Sequence, residues 1–433
     1  MTKTTRTLGE LPAIALDPAG SRFGGVAEVS AKPSGFFRTL KADGRWWLCD
    51  PGGHRFIHRG VSSVRQIRSS GARKQVKESF GSEKGWASAS NELLKKNGFN
   101  GLGAWSDDET LEPSASGLVY TKLWNFMASY GKIRGGTTQK SGHRGYPGNC
   151  PFIFDPEFPA FCLKHAEQLA STKDDPWLLG HFTDNELPWS LDLLEGYLSL
   201  PPKDPGHLAA WRWLRKRSGG KVEVADITPK DREDFLTFAA DTYFSAVCTA
   251  IRRHDPNHLI LGSRFHGRAL RLPALFKGAG RHLDVVSVNY YSHWTPDAEW
   301  LATWEKVSGK PVIISEWYAK ALDSGLANHS GAGWLVKTQK DRAAFYQHFT
   351  LGLLESRVCV GWHWFRYSDN DPTEQGTDPS NRDANKGIVS NRYVPYATLL
   401  ESMKDLNFRT YGLIRHFDQP VAVKSPNPPQ KTK

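Results

Sequence analysis

The chain has 433 residues, 39% of them hydrophobic and 12% aromatic, and a formal net charge of +11. That length holds one α/β barrel with long loops, and no apolar run approaches the roughly 18 residues of a membrane span, which excludes a helical membrane protein. Lysine and arginine are spread along the sequence rather than gathered in one run, which weighs against a nucleic-acid partner while leaving an anionic one open.

Residues 1–38, rich in glycine, proline and small polar residues, read as an irregular arm, and 421–433, with SPNPPQKTK, as a disordered tail. The opening stretch lacks the apolar h-region of a secretory signal. An intracellular protein is expected, or a periplasmic or secreted one whose signal has been removed. Five scattered cysteines are expected as buried free thiols.

Between arm and tail, over 39–420, short apolar runs alternate with amphipathic helices, the pattern of a parallel sheet with crossover helices. GRWWLCDPGGHRFIHRGVSSV (44–64) predicts a hairpin turning at Asp50-Pro51-Gly52-Gly53, whose second arm continues into a first barrel strand. A helix then stops at Gly98, a natural left-handed cap, before a strand that ends near Trp105. Residues 119–127 supply a third strand. Asp155-Pro156 opens a helix whose Phe158, Phe161, Cys162, His165 and Leu169 share one face. PWLLGHFTDNE (176–186) is an apolar strand that turns polar at its end. A long helix over 231–254 leads to HLILGSRFHG, and strands follow at 284–292, 311–319 and 358–370. Eight strands with intervening helices predict a (β/α)8 TIM barrel with long βα loops.

In that fold the site lies at the C-terminal ends of the strands. Trp105, Asn185, Glu186, Arg264, His266, Asn289, Tyr290, Glu316, Trp362 and Trp364 fall there. Two of them are carboxylic acids closing apolar strands, a costly placement unless they are hydrogen-bonded or functional. Trp189 and Trp317 stand close to them in sequence. Retaining glycoside hydrolysis needs such a pair, one acid and one nucleophile, and the 16 tryptophans offer indole faces for pyranose rings, with about half expected in the core.

Asn185-Glu186 and Glu316 in "ISEW" resemble the acid/base and nucleophile of the large clan of retaining (β/α)8 glycosidases. "GRWWLCDPGGHRF", "FNGLGAWSD", "FTDNELPWS", "DVVSVNYY", "PVIISEWYAKA" and "GWHWFRYSDN" each resemble, in the same order, segments of the β-agarases of glycoside hydrolase family 50. The resemblance covers about residues 40–415. It implies a retaining β-glycosidase acting on red-algal galactans, with Glu186 as acid/base, Glu316 as nucleophile and Asn185 on the sugar 2-hydroxyl. Tyr290 or Tyr291 would hydrogen-bond Glu316, and Trp364, or failing that Trp362, would floor the subsite beside the scissile bond.

His58-Arg59 departs from the small or apolar residues expected in the first strand. With Arg264, His266 and His363 it would suit sulfate or carboxylate groups on the glycan, so sulfated galactans such as porphyran or carrageenan are alternative substrates, beside plain β-galactosides or other β-glycosides. A noncatalytic glycan-binding barrel is a further reading, against which the two acids argue. GSRFGG, GAGRH and SGAGW lack phosphate-loop spacing, and His54, His58, His143 and His363 lack metal-ligand spacing. Neither cofactor nor metal is expected. The basic, glycine-rich stretch 131–149 would overhang the mouth as a substrate-binding lid.

Overall fold

A computed structural model describes residues 3–139 and 142–419; the expected tail, 421–433, and Lys140-Ser141 of the expected lid lie outside them. The barrel strands run in chain order as β1 (His58–Ser62), β2 (Gly101–Leu102), β3 (Val119–Leu123) and β4 (Leu178–Phe182). They continue as β5 (Leu259–Gly262, resumed at Phe265–His266), β6 (Val286–Asn289), β7 (Val312–Trp317) and β8 (Cys359–Phe365). All pair in parallel. They form one nine-stranded sheet whose two outermost pieces are the two halves of β5. Leu259–Gly262 bonds to β4 and Phe265–His266 to β6, so the sheet closes on itself through β5 as a (β/α)8 barrel.

The break in β5 is where Gly262 and Arg264 take positive φ, +82° and +54°. It lets one strand serve two neighbours in succession.

Side chains alternate across each strand. Leu179, Leu261 and Ile313 point into the barrel, where Phe23, Phe37, Leu48 and Phe56 join them. Those last residues belong to the arm and to a small antiparallel sheet, Arg38–Ala42 with Arg45–Cys49 and Arg55–Phe56, which plugs the N-terminal end. The expected hairpin turn at 50–53 is its second turn. Leu178, Ile260, Val312, Trp362 and Trp364 point outward to the helices.

The predicted long helix spans Pro229–His254, and its Thr228 N-cap accepts a hydrogen bond from the Asp231 amide. The expected third strand is shorter than predicted: it stops at Leu123, and Phe126–Arg134 is a helix. The arm, though irregular, is pinned: Asp17 accepts the amides of Tyr411 and Gly412 at 2.9 and 2.7 Å, and Arg6 pairs with Glu355. All five cysteines are buried and free. No described helix is long and apolar enough to cross a membrane.

His58 and His363 lie inside the barrel rather than at its mouth. His58 Nε2 meets the Val119 carbonyl at 3.2 Å, and His363 Nε2 meets His58 Nδ1 at 2.8 Å. Burial pushes His58 down to about 4 and holds His363 well below the usual range, so both are neutral near pH 7. A methyl group at Gly101 would come within 1.8 Å of His58 Nε2, and one at Gly103 within 2.8 Å of His363 Nδ1. Gly101 of β2 and Gly103 just after it therefore make the room these imidazoles fill. Arg59 faces outward, 5.3 Å from the Tyr411 ring. The expectation that His58, Arg59 and His363 receive an anionic glycan is thus corrected: two fill the core and the third packs behind the strand.

Candidate active site

The polar end of β4 is built on Asp184, which is wholly buried. It accepts the amides of Met127 and Ala128 at 2.8 and 3.0 Å and the Tyr243 hydroxyl at 2.6 Å. One carboxylate thereby caps the helix after β3 and ties the β4 loop to the long helix. Burial pushes Asp184 up to about 6 against those three bonds. Glu186 follows at φ +54°. Ser63, Trp105 and Arg264 share this left-handed backbone at φ +55°, +67° and +54°, at a cost of order 1–2 kcal/mol each. Such strain in four residues at the ends of β1, β2, β4 and β5 marks the rim as a functional region.

Glu316 reaches the same place through a bulge. Val288 pairs with Ile314 but Asn289 pairs with Glu316, so β7 carries one extra residue. The bulge breaks the alternation and turns Glu316 toward the mouth.

A hydrogen-bonded chain joins the two acids. Asn289 Nδ2 donates to Glu186 Oε1 at 2.7 Å and to Asn185 Oδ1 at 3.2 Å; Arg264 Nε donates to the same Asn185 oxygen at 2.8 Å. The other end of the Arg264 guanidinium bonds Glu316 Oε1. Tyr291 donates to Glu316 Oε2 at 2.7 Å. Because Arg264 only donates, Asn185 Oδ1 must face it. Asn185 Nδ2 then has no partner among the described residues and remains a donor at the cavity.

Burial pushes Glu316 above the usual carboxylate range. Arg264 opposes the rise, Glu186 adds to it, and the Tyr291 bond opposes it.

The acids line a cavity of about 380 Å³ with Asn185, Trp105, His266, Tyr291 and Tyr318. Two further hollows, of about 340 and 380 Å³, adjoin it, and Trp105, 40% exposed, lines all three. His266 Nδ1 lies 3.7 Å from Glu186. His143, from the stretch expected as a lid, brings Nδ1 to 3.4 Å of Glu186 Oε2. That stretch holds the end of the helix Phe126–Arg134 and a ribbon, Thr137–Thr138 with Arg144–Gly145.

The structure therefore brings together Trp105, Asn185, Glu186, Arg264, His266, Asn289, Tyr291 and Glu316. Six other expected residues lie elsewhere. Trp189 is 4% exposed and packs on Tyr243 and Phe244. Tyr290 points away from the site, where its hydroxyl accepts the Asp297 amide at 2.9 Å. Trp317 stacks on Phe349 and Tyr346 in the core, and His363 is the interior imidazole described above. Trp364 cannot floor a subsite: it is wholly buried and donates to the Lys386 carbonyl at 2.9 Å, and Trp362 faces outward with it. On β8 the inward parity belongs to Gly361, His363 and Phe365, so Phe365 lines the cavity. Sequence reasoning missed Arg65, Tyr318, Phe365, Arg366 and Lys386 as lining residues; Phe365 and Arg366 stand inside "GWHWFRYSDN", where counting by two from Gly361 finds Phe365.

Among the described residues, His181, Asp255 and His258 form the one group close enough to hold a metal ion. Its donors are already engaged. His181 Nδ1 accepts from Trp124 Nε1 at 2.9 Å, its Nε2 meets Asp255, and His258 meets Asp255 and the Asp175 carbonyl. It is a buried hydrogen-bond cluster tying β4 to the entry of β5.

No family model matches the chain. β-Agarase B of Vibrio sp. (strain JT0107) is 26% identical over 94% of this chain, and β-agarase A of the same strain 27% identical over 89%. The chain spans about half the length of these curated relatives, 52% and 46%. The crystal structure of BpGH50 superposes with a TM-score of 0.80 at 29% identity, covering 97% of this chain and 90% of that one. An exo-β-agarase at 22% identity shares the fold with a TM-score of 0.77, over 94% of this chain and 69% of its own. With the closed barrel and two strand-end glutamates on one cavity, these likenesses make the chain a distant relative of the β-agarases of glycoside hydrolase family 50.

Proposed function

We propose that the protein is a retaining β-glycosidase that cleaves β-galactosidic linkages of red-algal galactans, agarose-derived chains first among them. The observation that carries this reading is the hydrogen-bonded chain Glu186–Asn289–Asn185–Arg264–Glu316, which fixes two carboxyl groups with unlike surroundings on one cavity. Glu316, held by Arg264 and Tyr291, attacks the anomeric carbon while Glu186 gives its proton to the departing oxygen. The covalent ester removes the charge of Glu316. Glu186, now a carboxylate, takes a proton from water, which attacks the anomeric carbon and releases Glu316. Asn185 Nδ2 is the donor for the sugar 2-hydroxyl, and Trp105 offers the exposed indole on which a sugar ring stacks. The agarose preference is supported by the names of the curated relatives.

Product analysis of agarose oligosaccharides tests it. Proton NMR of the first-released sugar should show the β-anomer before mutarotation. Initial release of the α-anomer, or no cleavage of any β-linked galactan, overturns the reading.

The pH profile carries a second expected result. The Tyr291 hydroxyl stabilises the Glu316 carboxylate, so Tyr291→Phe raises the pKa of the nucleophile. The acid limb of kcat/KM moves to higher pH, by up to about one unit for one lost hydrogen bond to a charged group. A limb that stays put or moves to lower pH would remove Tyr291 from this role.

A further inference from the structure

One wall of the active-site cavity is cationic and under-bonded. Arg366, the residue after β8, is 2% exposed and lines the cavity. Its Nε has no hydrogen-bond partner, and its guanidinium forms no ion pair or hydrogen bond among the described residues; its backbone amide alone is bonded, to the Lys386 carbonyl at 3.2 Å. Arg65, in the loop after β1, lines the same cavity and likewise has an unpartnered buried Nε. Lys386 completes the group. It spends two N–H bonds on Ser380 O and Asn381 Oδ1, both at 2.7 Å, and sits 5.3 and 5.4 Å from the Tyr318 and Phe365 rings.

Nearby carboxylates form no ion pair with these guanidiniums, although the charges of Glu374 and Asp369 partly offset those of the cations. Asp378 is taken by Ser380 and by Asn381 Nδ2 at 2.8 Å, and Glu374 accepts the Arg68 amide at 2.9 Å. The cations also strain one another. Burial and then Arg65 push Arg366 down to about 10, and burial and then Arg366 push Lys386 down to about 7. Buried guanidinium N–H groups without acceptors are costly, and an oxyanion can take two of them in parallel, which a sugar hydroxyl cannot.

Building on the glycosidase reading, we infer that this wall is an oxyanion subsite: Arg366, with Arg65 and Lys386, receives a sulfate ester or carboxylate carried by a sugar of the glycan bound beside Glu316. Anionic recognition, expected from sequence at His58, Arg59 and His363, thus resides in loop residues after β1 and β8. Arg264 is committed to Glu316 and Asn185, and His266 stands beside Glu186.

The test compares kcat/KM on neutral agarose oligosaccharides, on porphyran oligosaccharides bearing sulfate, and on β-galactoside oligomers bearing a uronic acid. The wild-type protein should favour at least one anionic series over the neutral one by tenfold or more, and the favoured series identifies the group. In Arg366→Met the anionic-to-neutral ratio should fall at least tenfold, with partial recovery in Arg366→Lys. Arg65→Met, at a half-buried position, should lower the same ratio and serves if the Arg366 variants do not fold. Inorganic sulfate should inhibit neutral turnover competitively, and more weakly in either variant. Neutral cleavage with a ratio that neither substitution changes overturns the oxyanion subsite and leaves the glycosidase reading intact. Failure to cleave any of the three series overturns both.

Discussion

Glu316→Ala is expected to lower turnover of agarose oligosaccharides by about 10⁵-fold, the order at which loss of a covalent nucleophile is felt. No neighbour can substitute: Glu316 is 5% exposed at the end of a bulge, and the only other carboxylate in the hydrogen-bonded chain is Glu186. The alanine variant also strands Arg264, which is wholly buried, and breaking such a pair costs about 3–5 kcal/mol. Glu316→Gln is therefore the companion, since it keeps the shape and a partner for the guanidinium while removing the nucleophile's charge. Azide supplied to the alanine variant with an activated aryl glycoside should yield the α-glycosyl azide by a single displacement. A folded Glu316→Gln protein with a tenth or more of wild-type activity would remove Glu316 from the mechanism.

Glu186→Ala should cost about 10²–10⁴-fold on natural linkages, the range for loss of general acid–base catalysis. The loss should shrink on aryl glycosides whose leaving group needs no proton. There glycosylation proceeds through Glu316, the intermediate accumulates, and azide releases it as the β-glycosyl azide. Opposite azide stereochemistry in the two variants assigns the roles independently of either rate. A fall that is the same for good and poor leaving groups is the result incompatible with Glu186 as the acid.

The barrel and its acids were legible because they rest on signals local in sequence. PWLLGHFTDNE and PVIISEW are continuous apolar runs that end in a carboxylate, as a strand buried on both faces must read. The aromatic residues were misplaced because proximity in sequence says nothing of which face a side chain takes. Trp317 adjoins Glu316, and Tyr290 adjoins Tyr291, yet in each pair one member faces the mouth and the other packs among helices. The bulge at 315–316 was illegible for the same reason, since an inserted residue changes parity without changing composition. Arg65, Arg366 and Lys386 meet at one cavity from loops far apart in the chain, and no local spacing encodes that meeting.

The divided strand β5 has a consequence for assembly. Its first half completes one seam of the cylinder and its second half the other, and Arg264, the clasp between Asn185 and Glu316, sits at the step between them. An open, partly formed sheet holding only one half of β5 cannot bring the clasp to both partners. Closure of the cylinder and readiness for chemistry are thus one event, and catalytic competence reports on the last seam to form.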